Sequence, residues 1–298
     1  MRHPVLVQVP YVERVPNAAL APAVRRLWWL RMPSPQQYER IVPQPAIHLI
    51  VNLAADPYRV LARGTQPVGD TFPGAFISGV QVDYLLNENP GHLHHVGAEL
   101  EPWAAGAFGI DATVIGARVV DALPLLPALA ALRPEAAPLD PERALDRFEG
   151  ALLASIHAGW RPDRRVVGAV ERLRAEPNGR IAELASDAGL APKSFSALFR
   201  RVCGVTPKRF AEVMRHQAFL AALPPEGELP PWSTLIADHG YFDQAHFIHE
   251  FRRFTGMRPS EYVDHRRRFG HGSPSFLPLD EQLAAVTAIG DISPSASD

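Results

Sequence analysis

Phe195-Ser-Ala-Leu-Phe199-Arg-Arg-Val-Cys-Gly204-Val-Thr-Pro207-Lys-Arg-Phe210 returns 52 residues later as Phe247-Ile-His-Glu-Phe251-Arg-Arg-Phe-Thr-Gly256-Met-Arg-Pro259-Ser-Glu-Tyr262. Just upstream, Leu184-x2-Asp187-x-Gly189 returns as Leu235-x2-Asp238-x-Gly240, but at an offset of 51. One extra residue has therefore entered the second turn. Self-similarity at a fixed period marks a duplicated supersecondary unit, and the identity of that unit decides the C-terminal fold.

In the first copy, Ile181 to Ala188 has the spacing of a two-turn amphipathic helix, and Gly189 can take the left-handed conformation that closes it. Pro192 then opens a second helix, with Phe195, Leu198, Phe199 and Val202 at i, i+3, i+4 and i+7 on one face. Helix, short turn containing glycine, helix is the helix-turn-helix plan. The second copy repeats it with Thr234 to His239, the stop at Gly240, Asp243 as N-cap and Phe247, Phe251 and Phe254 facing inward.

With the aromatic faces packed inward, the opposite faces carry polar donors. Those faces hold Lys193, Ser194, Ser196, Ala197, Arg200 and Arg201 in the first copy, and Gln244, His246, His249, Arg252 and Arg253 in the second, all but Ala197 able to donate. Lys193, Ser194, Ser196, Ala197, Gln244, His246 and His249 are candidates for reading base edges. Arg200, Arg201, Arg252 and Arg253 are candidates for phosphate contacts. A solvated helix face is the plain alternative for one copy; two copies with Arg-Arg at the same place argue against it.

Between the copies, Thr206 caps and Pro207 opens a helix running to Ala222, with Phe210, Val213, Met214, Ala218 and Ala221 as its apolar stripe. About 16 residues at 1.5 Å each make a rod of roughly 24 Å. Such a rod holds two reading heads apart, as successive major grooves on one face of a duplex require.

Charge follows the same division. From Asp163 to Phe269 there are 17 Lys and Arg against 13 Asp and Glu, a balance of +4; the remainder holds 13 against 19, a balance of −6. Lys193 and Lys208 are the only lysines, so the positive charge is almost all guanidinium, which suits bidentate contacts. A chain of 298 residues predicts two domains. Nothing resembles a membrane span or a signal peptide, which predicts a cytoplasmic protein. The lone Cys203 excludes an intrachain disulfide and a cysteine metal site and fits buried filler.

The N-terminal half reads as short strands: Leu27–Leu30, Ile47–Leu53, Tyr58–Leu61, Ala75–Ser78 and Val80–Leu86. Arg63-Gly64, Pro73-Gly74 and Pro90-Gly91 are its turns. That spacing predicts an antiparallel barrel or sandwich. Short helices are expected at Trp103–Phe108 and from Ala122 to Leu132. Arg133 to Pro141 is the expected linker, after which Asp140 and Pro141 start a helix with Leu145, Phe148, Leu152 and Ile156 on one face. The Ser/Pro-rich tail from Gly270 is expected to be flexible, with a short helix at Asp280 to Ile289.

Residues from about Asp163 to His265 resemble the DNA-binding domain of the AraC/XylS regulators. The second copy carries most of the likeness: Ile236-Ala237-x2-Gly240-Tyr-Phe-Asp243-Gln244-Ala-His246-Phe247-x3-Phe251-Arg-Arg-x2-Gly256-x2-Pro259. The resemblance implies seven helices, two helix-turn-helix units on a linker helix, and sequence-specific control of transcription. It also implies double-stranded DNA as partner, with a small-molecule effector, a second copy of the chain and RNA polymerase as further candidates. This chain departs from the family at Ala191-Pro192, where Ser-Pro is common, and at Ala197, where an arginine is common. The second head is thus expected to be the stronger reader. Leu27-Trp-Trp-Leu30, Val42-Pro43 and Ile47–Val51 resemble an N-terminal domain of some of these regulators that has no assigned ligand. Trp28 and Trp29 read as core or interface packing.

A metal-binding or enzymatic N-terminal domain fused to an accessory helical module is the rival. His92-x-His94-x4-Glu99 has donors of the kind a cupin site uses, yet such a site needs a third histidine from a later strand, where the sequence turns helical instead, and His48 is the only plausible upstream substitute. No phosphate loop, nucleophile elbow or zinc-spaced His-Glu-x2-His is present. The expectation is therefore α+β, with no enzymatic activity, metal or cofactor. Residues 1–132 form a β-rich sensing or dimerisation domain and 133–162 a linker and connecting helix. Residues 163–269 form the double helix-turn-helix domain, and 270–298 a flexible tail.

Overall fold

The computed structural model describes residues 11–132, 140–224, 230–269 and 275–279. Ten strands come first: β1 (Tyr11–Arg14), β2 (Val24–Pro33), β3 (Tyr38–Ile41), β4 (Ile47–Asn52), β5 (Tyr58–Arg63), β6 (Gln66–Phe72), β7 (Ala75–Ser78), β8 (Leu85–Glu88), β9 (His92–Leu100) and β10 (Val119–Asp121). A short helix α1 (Ala112–Ile115) precedes β10, and 3-10 turns at Ala104–Phe108 and Pro127–Leu132 stand where short helices were expected. The helical half comprises α2 (Pro141–Ser155), α3 (Arg164–Ala175), α4 (Ile181–Asp187), α5 (Pro192–Cys203), α6 (Pro207–Ala222), α7 (Trp232–Asp238), α8 (Gln244–Thr255) and α9 (Pro259–Phe269). A last strand, β11 (Phe276–Leu279), follows.

The strands form two wholly antiparallel sheets, ordered β1-β2-β9-β4-β7-β10 and β11-β3-β8-β5-β6. Alternation along the first sheet sends Leu27, Trp29, Leu49, Val51, Val96 and Ala98 to one face, where α2 brings Leu145, Phe148 and Leu152. The other face brings Ile50, Phe76 and Leu93 against Tyr58, Val60, Phe72 and Leu85 of the second sheet. Trp28 and Trp29 are both buried, and a Cβ on Gly97 would stand 2.2 Å from the Trp28 ring, so only glycine admits the indole there.

The expected strand over Val80–Leu86 is shorter than its hydropathy suggested. It begins at Leu85, because Gln81 turns back to donate to Ser78 Oγ and the Gly79 carbonyl, holding 79–84 out of the ladder. Phe276–Leu279 corrects the expectation of a flexible tail for that segment: it pairs with β3 and buries Leu277 and Leu279. The rest of the tail, its expected helix at Asp280 to Ile289, and most of the expected linker lie outside the described residues.

The halves do not keep separate cores. Phe195, Phe199 and Phe210 join one apolar cluster with Leu100, Phe108, Ile115 and the first sheet. Phe247, Phe251 and Tyr262 join another with Val42 just after β3, Ala62 and Leu86 of the second sheet, and Leu277 and Leu279 of β11.

Candidate nucleic-acid interface

Both units fold as their repeated residues dictate. Backbone bonds close the first turns alike, from Leu190 N to Ala185 O (2.9 Å) and from Tyr241 N to Ile236 O (3.2 Å). Gly189 and Gly240 take φ of 65° and 68°, the left-handed region that ends a helix cheaply only at glycine. At α8 the Asp243 carboxylate accepts from His246 N at 2.7 Å, satisfying an orphan donor of the first turn. At α5 the N-cap is Ala191, which offers no such acceptor, and Pro192 at the first helical position takes over the start.

The inward faces are closed. Phe195, Leu198, Phe199 and Cys203 are buried on α5; Phe247, Phe251 and Phe254 are buried on α8. Burial pushes the Cys203 thiol well above its ordinary range, so it is no nucleophile. Outward, Lys193, Ser194, Ala197, Arg200 and Arg201 are exposed on α5 and Ser196 is half-buried. Gln244, His246, His249 and Arg252 are exposed on α8. The structure thus leaves the expected reading candidates open to solvent, with Ser196 partly covered.

Arg253 departs from its expected place among the phosphate contacts. Its guanidinium is half-buried, donates to Glu212 of α6 at 2.8 Å and stands 4.0 Å from Asp83 of the β half. Burial alone would raise the Glu212 carboxyl; Arg253 and then Arg209 outweigh it and hold it below the usual carboxylate range. Arg253 joins elements and Arg252 remains free to face a ligand.

The rod between the heads is as expected, with Thr206 Oγ1 accepting from Arg209 N and Pro207 at the first position over 16 residues. Its stripe holds except that Ala221 is exposed. α6 is locked to α8 by Arg215, which donates to both Glu250 oxygens (2.9 and 2.8 Å) and lies over the Tyr241 ring. Sequence reasoning missed this lock because its partners are 35 positions apart with no local spacing to betray them. It also missed His216, fully buried between Phe251 and Phe254, with neither ring nitrogen bonded among the described residues. Burial, and then Arg253 and Arg215, push its pKa down to about 3.

The trailing ends of α5 and α8 are both seated on the β half. Gly204 (φ 78°) and Gly256 (φ 66°), equivalent positions of the repeat, close α5 and α8. A Cβ on Gly204 would stand 2.8 Å from the Ala112 carbonyl oxygen, and one on Gly256 would stand 2.8 Å from Arg40 Cζ and 2.9 Å from the Tyr84 ring. Arg40, buried in β3, donates to the Thr255 carbonyl at 3.1 Å, placing a cation at the negative end of α8.

In the β half, His94 and Glu99 are an odd number of residues apart on β9 and so point to opposite faces. Glu99 lies across from His48 and is held by Arg25 (2.9 Å) and Arg26 (2.8 Å). His95 is buried against Tyr58, whose hydroxyl is 2.7 Å from its Nδ1. Burial pushes His48 and His95 down to about 4. A polar cleft of about 400 Å³ opens at this end between Ser34, Asp56, Arg59, Glu88 and Asn89.

Two helix-turn-helix units in tandem, each with a closed aromatic face and an open donor face, define a DNA-binding domain. Residues 158–265 match a family described as a helix-turn-helix domain, and residues 12–120 match a domain of unknown function, DUF6597. The C-terminal half is accordingly an AraC-type helix-turn-helix domain, preceded by a DUF6597 domain. A probable transcriptional regulator, LumQ, of Photobacterium leiognathi is 37% identical over 82 residues, which cover 28% of this chain and 32% of LumQ. The chain thus spans about a third of that curated relative. Among solved structures, ToxT of Vibrio cholerae at 1.65 Å aligns with TM-score 0.44 and 9% identity over 85% of this chain and 98% of ToxT. ToxT with a bound unsaturated fatty acid aligns at 0.41 and 7% identity over 85% and 94%. No helix among the described residues is long and apolar enough to cross a membrane.

Proposed function

We propose that this protein is a sequence-specific transcription regulator that sets α5 and α8 in successive major grooves of one duplex, under control of the β half. The observation that carries the reading is the duplicated open face, Lys193 to Arg201 and Gln244 to Arg252, on two helices joined by the 16-residue α6. Gln244 and His249 read base edges; Lys193 and Ser196 do so more weakly in the first head, where Ala197 offers no donor. Arg200, Arg201 and Arg252 hold phosphates. An effector occupies the β half, for which the cleft at Asp56, Arg59 and Glu88 offers both charges. Homodimerisation and contact with RNA polymerase complete the reading. The test is a duplex selected from random DNA and titrated at rising salt. Each phosphate contact contributes roughly 0.9 to the slope of log affinity against log salt, so a flat response refutes the proposal. Gln244→Ala or His249→Ala is expected to change the selected sequence rather than weaken all duplexes alike.

A further inference from the structure

The extra residue of the second turn can be located from the backbone. The bonds Leu190 N to Ala185 O and Tyr241 N to Ile236 O keep the offset of 51, whereas Phe195 N to Ala191 O and Phe247 N to Asp243 O keep the offset of 52. The inserted position therefore lies between Tyr241 and Asp243, and it is Phe242. Leu190 and Tyr241 correspond, and both pack inward on their clusters. Phe242 has no counterpart to displace and no cavity to fill: its side chain is 92% exposed, more than any other large apolar side chain among the described residues.

An inserted turn residue would ordinarily be glycine, asparagine or another polar type. A phenylalanine in water gains nothing for the fold, and it stands one residue before the N-cap of α8, the end of a reading helix that meets base edges. Its neighbours Asp243, Gln244 and His246 are exposed around it, so the ring tops an otherwise polar face. The apolar feature of the major groove is the C5-methyl group of thymine, for which phenylalanine is a suitable partner. We propose that Phe242 is a specificity residue that packs on a thymine methyl in the half-site read by α8. The inference rests on the DNA-binding reading above.

The test uses the full chain and a duplex selected from random DNA, with each dT of the selected sites replaced in turn by dU, which removes only the methyl. One replacement is expected to weaken binding about fourfold, the effect of one apolar group returned to water. Phe242→Ala should weaken the parent duplex about as much and make the protein indifferent to that replacement; Phe242→Leu should restore part of the sensitivity. Melting temperature serves as the folding control, and no change is expected for so exposed a side chain. The inference is overturned if every dU duplex binds like the parent, or if the alanine variant keeps the full dU effect. It is overturned too if Phe242→Ala spares DNA binding but abolishes transcriptional activation, which would assign the ring to a protein partner. A wild-type chain that retains no duplex removes the DNA-binding reading itself, whereas loss confined to Arg252→Ala with no dU effect removes only this inference.

Discussion

Arg252 and Arg253 are adjacent and chemically identical, and their replacement by alanine should separate two kinds of loss. Arg252 is exposed, so Arg252→Ala should leave the melting temperature where it is and remove about one phosphate contact. Losing roughly 0.9 from the salt slope means that its disadvantage relative to wild type shrinks about 3.5-fold between 50 and 200 mM salt. Arg253 is tied to Glu212, whose side chain is only 12% exposed, so Arg253→Ala leaves that carboxylate with Arg209 alone. The pair lies between the surface limit of about 0–1 kcal/mol and the buried limit of 3–5, so a cost of about 2 kcal/mol is expected. At about 2–3 °C per kcal/mol for a chain of this size, the melting temperature should fall by about 5 °C, with the salt slope unchanged. The assay pairs thermal unfolding with fluorescence anisotropy on one selected duplex. If Arg253→Ala flattens the salt slope while melting normally, or Arg252→Ala lowers melting while keeping the slope, the division of labour is wrong.

Three further outcomes follow from the buried groups and the C-terminal strand. His48, His95 and His216 have folded pKa values below their unfolded value of about 6.5. The unfolded chain therefore binds more protons, and the stability they secure is full above pH 6.5 and lost as pH falls towards 4, each group contributing up to about 1.4 kcal/mol per unit. Thermal melts from pH 7.5 to 4.5 should show that steep loss, and His216→Leu should make it shallower; an unchanged pH dependence in the variant would count against burial of a neutral imidazole. A chain ended after Pro274 loses the burial of Leu277 and Leu279 and leaves β3 an open edge, so denaturant unfolding should report a loss of about 3–5 kcal/mol. Equal stability would mean that β11 adds nothing.

The helices of the C-terminal half were readable because their determinants are local. Pro192, Pro207 and Asp243 mark starts, Gly189, Gly204, Gly240 and Gly256 mark ends, and the aromatic spacing marks the buried faces. The inward ion pair of Arg253 was hidden because the doubled Arg-Arg conceals an angular difference. At about 100° per residue, Arg252 points roughly opposite the face formed by Phe247, Glu250, Phe251 and Phe254, whereas Arg253 flanks it. A helical wheel of α8 alone would have separated them, and only the fold supplies Glu212 and Asp83. β11 was unreadable for another reason: Phe276–Leu279 acquires its partner, Tyr38–Ile41, across more than two hundred residues, and no periodicity within four residues announces that. The joint cores were likewise hidden, since an apolar stripe declares that it will be buried but not against what.

The two closing glycines have a mechanical consequence. A 12-residue helix is about 18 Å long, and α5 and α8 are each pressed onto the β half at Gly204 and Gly256, at the base of that length. Phe195 and Phe247 near the leading ends are buried too, so each helix moves only together with the helices packed around it, and that unit is then a lever with its support, the pivot, at the trailing glycine and its working tip at the leading end. A rotation of only about 10° at the pivot carries the tip about 3 Å, close to the roughly 3.4 Å step from one base pair to the next. Because the pivots rest on different parts of the β half, α1 for one and β3 with Tyr84 for the other, a small shear between those supports would change the register of one tip against the other by a whole letter of the DNA text.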